Sequence, residues 1–392
     1  MVRRIIFLLV IVFHFSACSA KLISDNHIKV GASSFQEYIP LIKDKRVGLL
    51  VNHSSLVQGV HLLDTLIAQD INVVKIFAPE HGFRGKKDAG EHVANDMDQK
   101  TGLPIVSLYG KNRKPSVEML QDLDVVVFDI QDVGVRFYTY ISTMHYMMEA
   151  CAKSSVKFIV LDRPNPNGDY FDGPVLDKKY QSFVGMHPIP IVHGLTVGEL
   201  AQMINGEGWL ENQTHCDLTV IKMKNWDHKM SYDLPVKPSP NLPNYLSVRL
   251  YPSLCFFEAT NISIGRGTYF PFQVIGYPDS SLGSFSFTPR SIDGMSKTPK
   301  QKDQVCYGVD LRSESLKHQF SLKYFLQFYN TLKANDGFKF DVKWFNLLAG
   351  KSQLSEDIIN GLSEQEIRAK WAVDLKKYSL LRDKYLLYSK EE

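Results

Sequence analysis

VVVFDIQDVGVRFYTY, residues 125–140, joins two unlike kinds of chain. Its first half, residues 125–130, is a short apolar run rich in β-branched residues. The run lacks the polar alternation of a half-solvated strand, so it predicts a strand buried on both faces. The second half is polar at once, with Gln131, Asp132, Arg136, Tyr138 and Tyr140. Four other runs have the same form, at residues 46–51, 73–78, 104–108 and 157–161. Between them lie stretches such as 59–69 and 140–153, whose apolar residues recur at helical spacings of three and four. The alternation predicts an α/β fold, a Rossmann-like and mainly parallel sheet with helices on both faces.

Such sheets bind ligands beyond the carboxyl ends of their strands, and every strand exit here is polar. Asn52-His53-Ser54 follows the first, Pro79-Glu80-His81-Gly82-Phe83-Arg84-Gly85 the second, and Tyr109-Gly110-Lys111 the third. Asp162-Arg163-Pro164-Asn165-Pro166-Asn167-Gly168 follows the fifth, and its prolines restrict the backbone that carries the polar side chains. Repeated Asn, Asp, Arg, His and Tyr between Gly and Pro point to a site. No exit carries GxGxxG or GxxxxGK[ST], which disfavours a nucleotide cofactor.

Glu80 is the sharpest candidate for chemistry. A carboxylate at the end of a buried strand is placed for general acid work, although a helix cap or an ion pair with Arg84 fits the same position. His81 suits either an orienting role or a bond to a sugar hydroxyl. Strand alternation puts Asp129 and Gln131 on one side and Asp132 on the other. Asp132 and Arg136 also fit a pair that positions their loop. Tyr138 and Tyr140 offer faces for a sugar ring or for core packing. Glu80, His81, Asp129 and Asp132 are of metal-ligand type, but no HxH, HExxH or EF-hand spacing accompanies them, so no metal is expected.

Composition limits the partners. The 392 residues carry 45 basic and 42 acidic side chains, a formal charge of +3 that is too small for a nucleic-acid reader. With 44% hydrophobic residues the chain supports a large core rather than a disordered one. Residues 1–20 run from Arg3 and Arg4 through an apolar stretch to small residues around Cys18, the order of a secretory signal. Phe15-Ser16-Ala17-Cys18 is similar to a lipobox, in which the cysteine becomes a lipidated N-terminus, while cleavage after Ala20 is the alternative. No later run reaches the ~20 residues of a membrane span. The expectation is an exported protein of the periplasm or cell envelope. Cys151, Cys216, Cys255 and Cys306 form no CxxC pair and are expected as buried thiols.

The sheet domain is expected over residues 21–252, with a smaller α+β domain over 253–392 closing a cleft. Thr196 with Glu199 and Ser363 with Glu366 have capping-box spacing. Helices are expected over 315–333, 355–361 and 363–388. Glu258, Asn261 and Arg266 form a polar cluster suited to the second wall.

Taken in order, Pro79–Gly85, Ser107–Gly110, Asp129–Gly134, Arg136–Tyr140, Leu161–Pro166, Asp172–Pro174, Ser182–Gly185, His193–Leu200, Ser239–Asn241 and Glu258–Thr268 resemble the exo-β-N-acetylmuramidase NamZ family. The likeness is dense from Arg46 to Gly276. Where that family carries Asn-His-Thr-Gly after the first strand, this chain has Asn52-His53-Ser54-Ser55, keeping a hydroxyl and losing a glycine. The resemblance implies a Rossmann-like catalytic domain, a C-terminal domain, and release of N-acetylmuramic acid from non-reducing ends of peptidoglycan fragments without a cofactor. Glycosidic cleavage needs a proton for the leaving oxygen and a partner for an oxocarbenium-like centre. Glu80 fits the acid, and Asp129, Asp132, Glu258 or the substrate's own acetamido oxygen fits the partner. Asn52, His53, His81, Gln131, Tyr138, Tyr140, Asp162, Asn165 and Asn261 are expected to hold the sugar. Arg84, Arg136, Arg163 or Arg266 is expected to take the lactyl carboxylate, for which a guanidinium fork is suited. Two rivals fit the same residues: a non-catalytic muropeptide-binding lipoprotein and a metal-dependent hydrolase.

Overall fold

The computed structural model describes residues 27–80, 82–83, 96–110, 112–313, 320–335 and 337–388. The expected signal and Cys18 therefore lie outside the described residues, as do His81 and Arg84.

The strands in chain order are β1 (Val47–Val51), a small hairpin of β2 (Leu56–Val57) and β3 (Val60–His61), β4 (Val73–Ala78), β5 (Asp96–Met97), β6 (Pro104–Ser107), β7 (Val125–Asp129), β8 (Lys157–Leu161) and β9 (Leu218–Ile221). Seven of them form the central sheet in the order β5-β6-β4-β1-β7-β8-β9. All its pairings are parallel except that of the short edge strand β5 on β6. The five expected strands are present, and β1 and β7 are buried at every position, as an all-apolar strand between two helical layers requires. β9 escapes the pattern because Leu-Thr-Val-Ile, at the sheet edge, is only partly buried and mixes a polar residue into the run.

From β1 the chain proceeds to β4 and β6 on one side, then crosses to β7, β8 and β9 on the other. The carboxyl ends of β1 and β7 thus form the switch point at which open α/β sheets bind ligands. The β1 exit is stitched to the β7 exit by two serine hydroxyls. Ser54 Oγ accepts from the Gln131 amide at 3.0 Å, and the Ser55 hydroxyl donates to the Asp129 carbonyl. The hydroxyl kept at position 54 therefore joins the two loops.

Helices α1 (Phe35–Ile42), α2 (Leu62–Ile67), α3 (Tyr140–Ser154), α4 (Val197–Gly206) and α5 (Tyr245–Leu254) accompany this sheet. α3 presents eleven buried residues and ends at Ser155 in the left-handed region. α4 opens on the Thr196–Glu199 capping box. The second part contains an antiparallel sheet of β10 (Val274–Tyr277), β11 (Phe285–Phe287) and β12 (Cys306–Asp310), with β12 central. Its helices are α6 (Lys323–Leu332), α7 (Val342–Ala349), α8 (Gln353–Ile359), α9 (Glu364–Ala369) and α10 (Ala372–Arg382). The single helix expected over 363–388 is instead α9 and α10, broken where Trp371 is buried in the core. α9 does start on the Ser363–Glu366 box.

One apolar core runs through both parts. Phe137 meets Tyr251 and Phe256 edge-to-face at ring distances of 5.4 and 6.0 Å, and Phe256 in turn packs on Phe345 of α7 at 4.7 Å. Such pairs contribute roughly 0.5–1.5 kcal/mol each beyond area burial. The chain end also returns to the first sheet: the Tyr378 hydroxyl donates to the His193 carbonyl and the Tyr388 hydroxyl to Asp162 Oδ2, both at 2.6 Å. All four cysteines of the described residues are buried free thiols. Among the described residues no helix is long and apolar enough to cross a membrane.

Candidate active site

A cavity of about 470 Å³ opens beyond the carboxyl edge of the sheet, within the size range of small-molecule sites. Glu80 and Tyr109, from the exits of β4 and β6, line it beside Thr139 and Tyr140 at the start of α3. Phe183, Ser239 and Asn241 come from loops. Glu258, Arg266 and Phe272 form a second wall, and Trp344, Leu347 and Leu348 come from α7.

Glu80 is partly buried and surrounded by hydroxyls. Thr139 Oγ1 donates to Glu80 Oε2 at 3.1 Å. Burial, with the charge of Glu80 and a hydrogen bond to it, pushes the Tyr109 phenol up to about 12. Burial and the same charge raise Tyr140. Both phenols therefore stay protonated, so they can donate to a carboxylate or to a sugar oxygen. Tyr138 and Tyr140 cross edge-to-face at 4.8 Å, and their hydroxyls converge on the Pro238 carbonyl at 2.7 and 3.3 Å. That shared acceptor anchors the rings to the proline-rich wall.

Across the cavity, Arg266 Nε donates to Glu258 Oε1 at 2.6 Å, with the guanidinium 5.1 Å from the Phe272 ring centre. Lys300 Nζ donates to the carbonyls of Phe257 and Glu258 at 2.7 and 2.8 Å. Burial raises the Glu258 carboxyl, but the Arg266 and Lys300 charges outweigh it and leave it below the usual carboxylate range. Glu258 is therefore an anion at neutral pH.

Of the residues expected at the site, the cavity brings together Glu80, Tyr138, Tyr140, Glu258 and Arg266. The other expected residues that the structure describes lie outside its lining. Asp129 is fully buried and paired with Arg163, Nε to Oδ1 at 2.5 Å and Nη2 to Oδ2 at 2.9 Å. This corrects the two roles expected there: the acid is closed off from the cleft, and the guanidinium already holds a carboxylate. Arg136 is also fully buried and donates to the carbonyls of Pro174, Ile189 and Leu348. Burial pushes its guanidinium down to about 9. The expected Asp132–Arg136 pair is absent among these contacts. Asp132 Oδ2 accepts instead from the Gly134 amide at 2.7 Å, with His193 Nε2 at 3.7 Å.

Asn52 Oδ1 accepts from the Ser54 amide and hydroxyl, and His53 Nε2 lies 2.7 Å from the Lys237 carbonyl. Gln131 Nε2 donates to the Asp132 and Pro164 carbonyls. Asn165 Nδ2 donates to Leu195 O, and the side chain is packed so tightly on Gly134 that a Cβ there would lie 2.1 Å from Asn165 Oδ1. Asp162 caps α4, accepting from the Gly198 amide at 2.9 Å and the Thr196 hydroxyl at 2.7 Å. Asn261 bridges to Gly337 O and the Lys339 amide.

Among the lining residues that escaped the sequence are Arg113, Phe183, Tyr251 and Trp344. Arg113 follows the third strand exit by a few residues, and its basic loop was the available signal. Phe183 lies in a stretch already singled out for its likeness but was given no role. Tyr251 and Trp344 reach the cavity from helices, and nothing local marks them. Among the described residues no three His, Cys, Asp or Glu side chains converge as a metal site would require.

The family models for the N-terminal and C-terminal parts of exo-β-N-acetylmuramidase NamZ match residues 47–246 and 249–388. The chain belongs to the NamZ family. It is 41% identical over 377 residues to the peptidoglycan β-N-acetylmuramidase NamZ of Bacillus subtilis (strain 168), covering 90% of this chain and 89% of that protein. Two crystal structures of DUF1343 family proteins from Bacteroides fragilis NCTC 9343 superpose with TM-scores of 0.86 and 0.80. They are 46% and 33% identical, and cover 93% and 92% of this chain and 100% and 99% of theirs. The two NamZ models meet on α5, whose Tyr251 touches both the cavity and the shared core.

Proposed function

We propose that the protein is a glycoside hydrolase, an exo-acting β-N-acetylmuramidase that releases N-acetylmuramic acid from the non-reducing ends of peptidoglycan fragments. The observation that carries this reading is a partly buried carboxylate among hydroxyls, Glu80, in one cavity with a second carboxylate, Glu258, kept ionised by cations. In this reading Glu80, protonated, gives its proton to the glycosidic oxygen as the bond to the anomeric carbon breaks. A water molecule adds to that carbon and gives up a proton that restores Glu80. The Glu258 anion offsets the positive charge that develops on the sugar ring. Asp129 and Asp132 act by holding the switch-point loops.

Residues 253–392 form the second domain and close the cleft over the sheet domain of residues 21–252. Trp344, Leu347 and Leu348 of α7 line the cavity, and in this reading they form the closed end that removal of one terminal sugar at a time requires. Residues 1–20 direct export to the cell envelope, with Cys18 as a lipid-anchoring position.

Mass spectrometry of the products from N-acetylmuramic acid linked β-1,4 to N-acetylglucosamine tests the assignment. Free N-acetylmuramic acid and N-acetylglucosamine are expected, and an untouched disaccharide bound without turnover favours the binding-protein rival.

A further inference from the structure

The cavity is lined by Glu80 and by the Glu258 anion, which repels an anionic substrate. A muramic sugar nevertheless carries a carboxylate on its lactyl group, so its binding needs a cation with free donors. Most guanidinium groups nearby already hold partners: Arg266 with Glu258, Arg163 with Asp129, and Arg136 with three carbonyls. Arg113 differs. It lines the same cavity, is exposed, and forms no ion pair among the described residues.

Arg113 is nonetheless held in place. Its guanidinium carbon lies 4.5 Å from the centre of the Phe183 ring, which stacks on Tyr146 at 6.2 Å and 14°. Lys114 Nζ lies 5.7 Å from the Tyr146 ring centre. Seating a guanidinium on a ring restricts the side chain while leaving its N–H edge free for a carboxylate. Lysine offers no such planar fork.

We propose that Arg113 is the specificity-determining residue of the cleft. It takes the lactyl carboxylate that distinguishes N-acetylmuramic acid from N-acetylglucosamine, an assignment that rests on the function proposed above. Its charge offsets that of Glu258.

The test compares hydrolysis of an aryl β-N-acetylmuramoside with that of its lactyl methyl ester, which differs only in charge and one methyl group. Wild type is expected to prefer the free acid by about 100-fold in kcat/KM, the scale of a charge-assisted bidentate contact, chiefly through KM. In Arg113→Ala that preference falls to within about threefold of unity, while Arg113→Lys is intermediate. An acid-to-ester ratio unchanged in Arg113→Ala overturns the inference, provided thermal melting shows the variant folded. If wild type cleaves neither compound, the hydrolase reading itself fails, which is a separate result.

Discussion

Thr139 Oγ1 and Glu80 Oε2 stand 3.1 Å apart, so the residue capping α3 holds the carboxylate that follows β4. Two strand exits on opposite sides of β1 are thereby joined at the proposed proton donor. Removing the hydroxyl takes away one of the hydrogen bonds that orient the Glu80 side chain and leaves the carboxyl group itself in place. Thr139→Val is expected to lower kcat about tenfold with little change in melting temperature, and Thr139→Ser to retain most activity, since misorientation of a general acid costs rate more than binding. Steady-state kinetics on an aryl muramoside checks this.

The Asp129–Arg163 pair predicts a different outcome. Both side chains are buried, and removing one partner strands the other charge. Asp129→Asn is expected to destabilise the fold by about 3–5 kcal/mol, measured by chemical denaturation. At a temperature where the variant remains folded, its kcat is expected within about threefold of wild type. A loss of several hundred-fold in folded protein would instead return Asp129 to the chemistry.

Asp162 sets a pH dependence of stability. Burial, with the Glu199 charge, pushes its carboxyl up to about 6 in spite of hydrogen bonds from Tyr388, Thr196 and Gly198. A raised carboxyl pKa means the folded chain binds the proton more tightly than the unfolded one. The contribution is therefore fullest below the unfolded value near 4 and is lost as pH rises to about 6. About two units correspond to roughly 3 kcal/mol of stability lost across that window. Denaturation midpoints measured from pH 4 to 7 are expected to show this fall, and Asp162→Asn to remove it. A stability that rises monotonically through the window in both proteins contradicts the assignment.

The chain end bears on the same carboxyl. Tyr388 donates to Asp162 Oδ2 and accepts from the Met223 amide at 3.1 Å. Tyr388→Phe keeps the ring and removes both bonds, leaving buried polar groups unmatched. A destabilisation of about 1–3 kcal/mol is expected in calorimetry, with catalytic constants unchanged.

The sheet was legible because strands buried on both faces leave continuous apolar runs, as β1 and β7 do, and because strand exits announce themselves by their polarity. The same logic picked out Glu80, Tyr138, Tyr140, Glu258 and Arg266, which line one cavity. It misplaced Asp129, Arg136 and Arg163 because a polar residue at a strand end reads alike whether it faces a cleft or a buried counter-charge. Only the third dimension shows that Asp129 meets Arg163, 34 positions away. Trp344 lay beyond reach for a related reason: it approaches the cavity from a helix that packs there by its apolar face. The split of α9 from α10 at Trp371 also follows from tertiary burial, against a local sequence that favours a continuous helix.

The role of Glu80 is tested most directly by varying the leaving group. Glu80→Gln removes the transferable proton while keeping size and hydrogen-bonding shape. On the muramic acid–N-acetylglucosamine disaccharide, whose departing oxygen needs protonation, kcat is expected to fall by about 10²–10⁴. On a dinitrophenyl muramoside, whose leaving group departs unaided, the fall is expected to stay within about tenfold. Equal losses on both substrates, or none on the disaccharide, would contradict Glu80 as the proton donor.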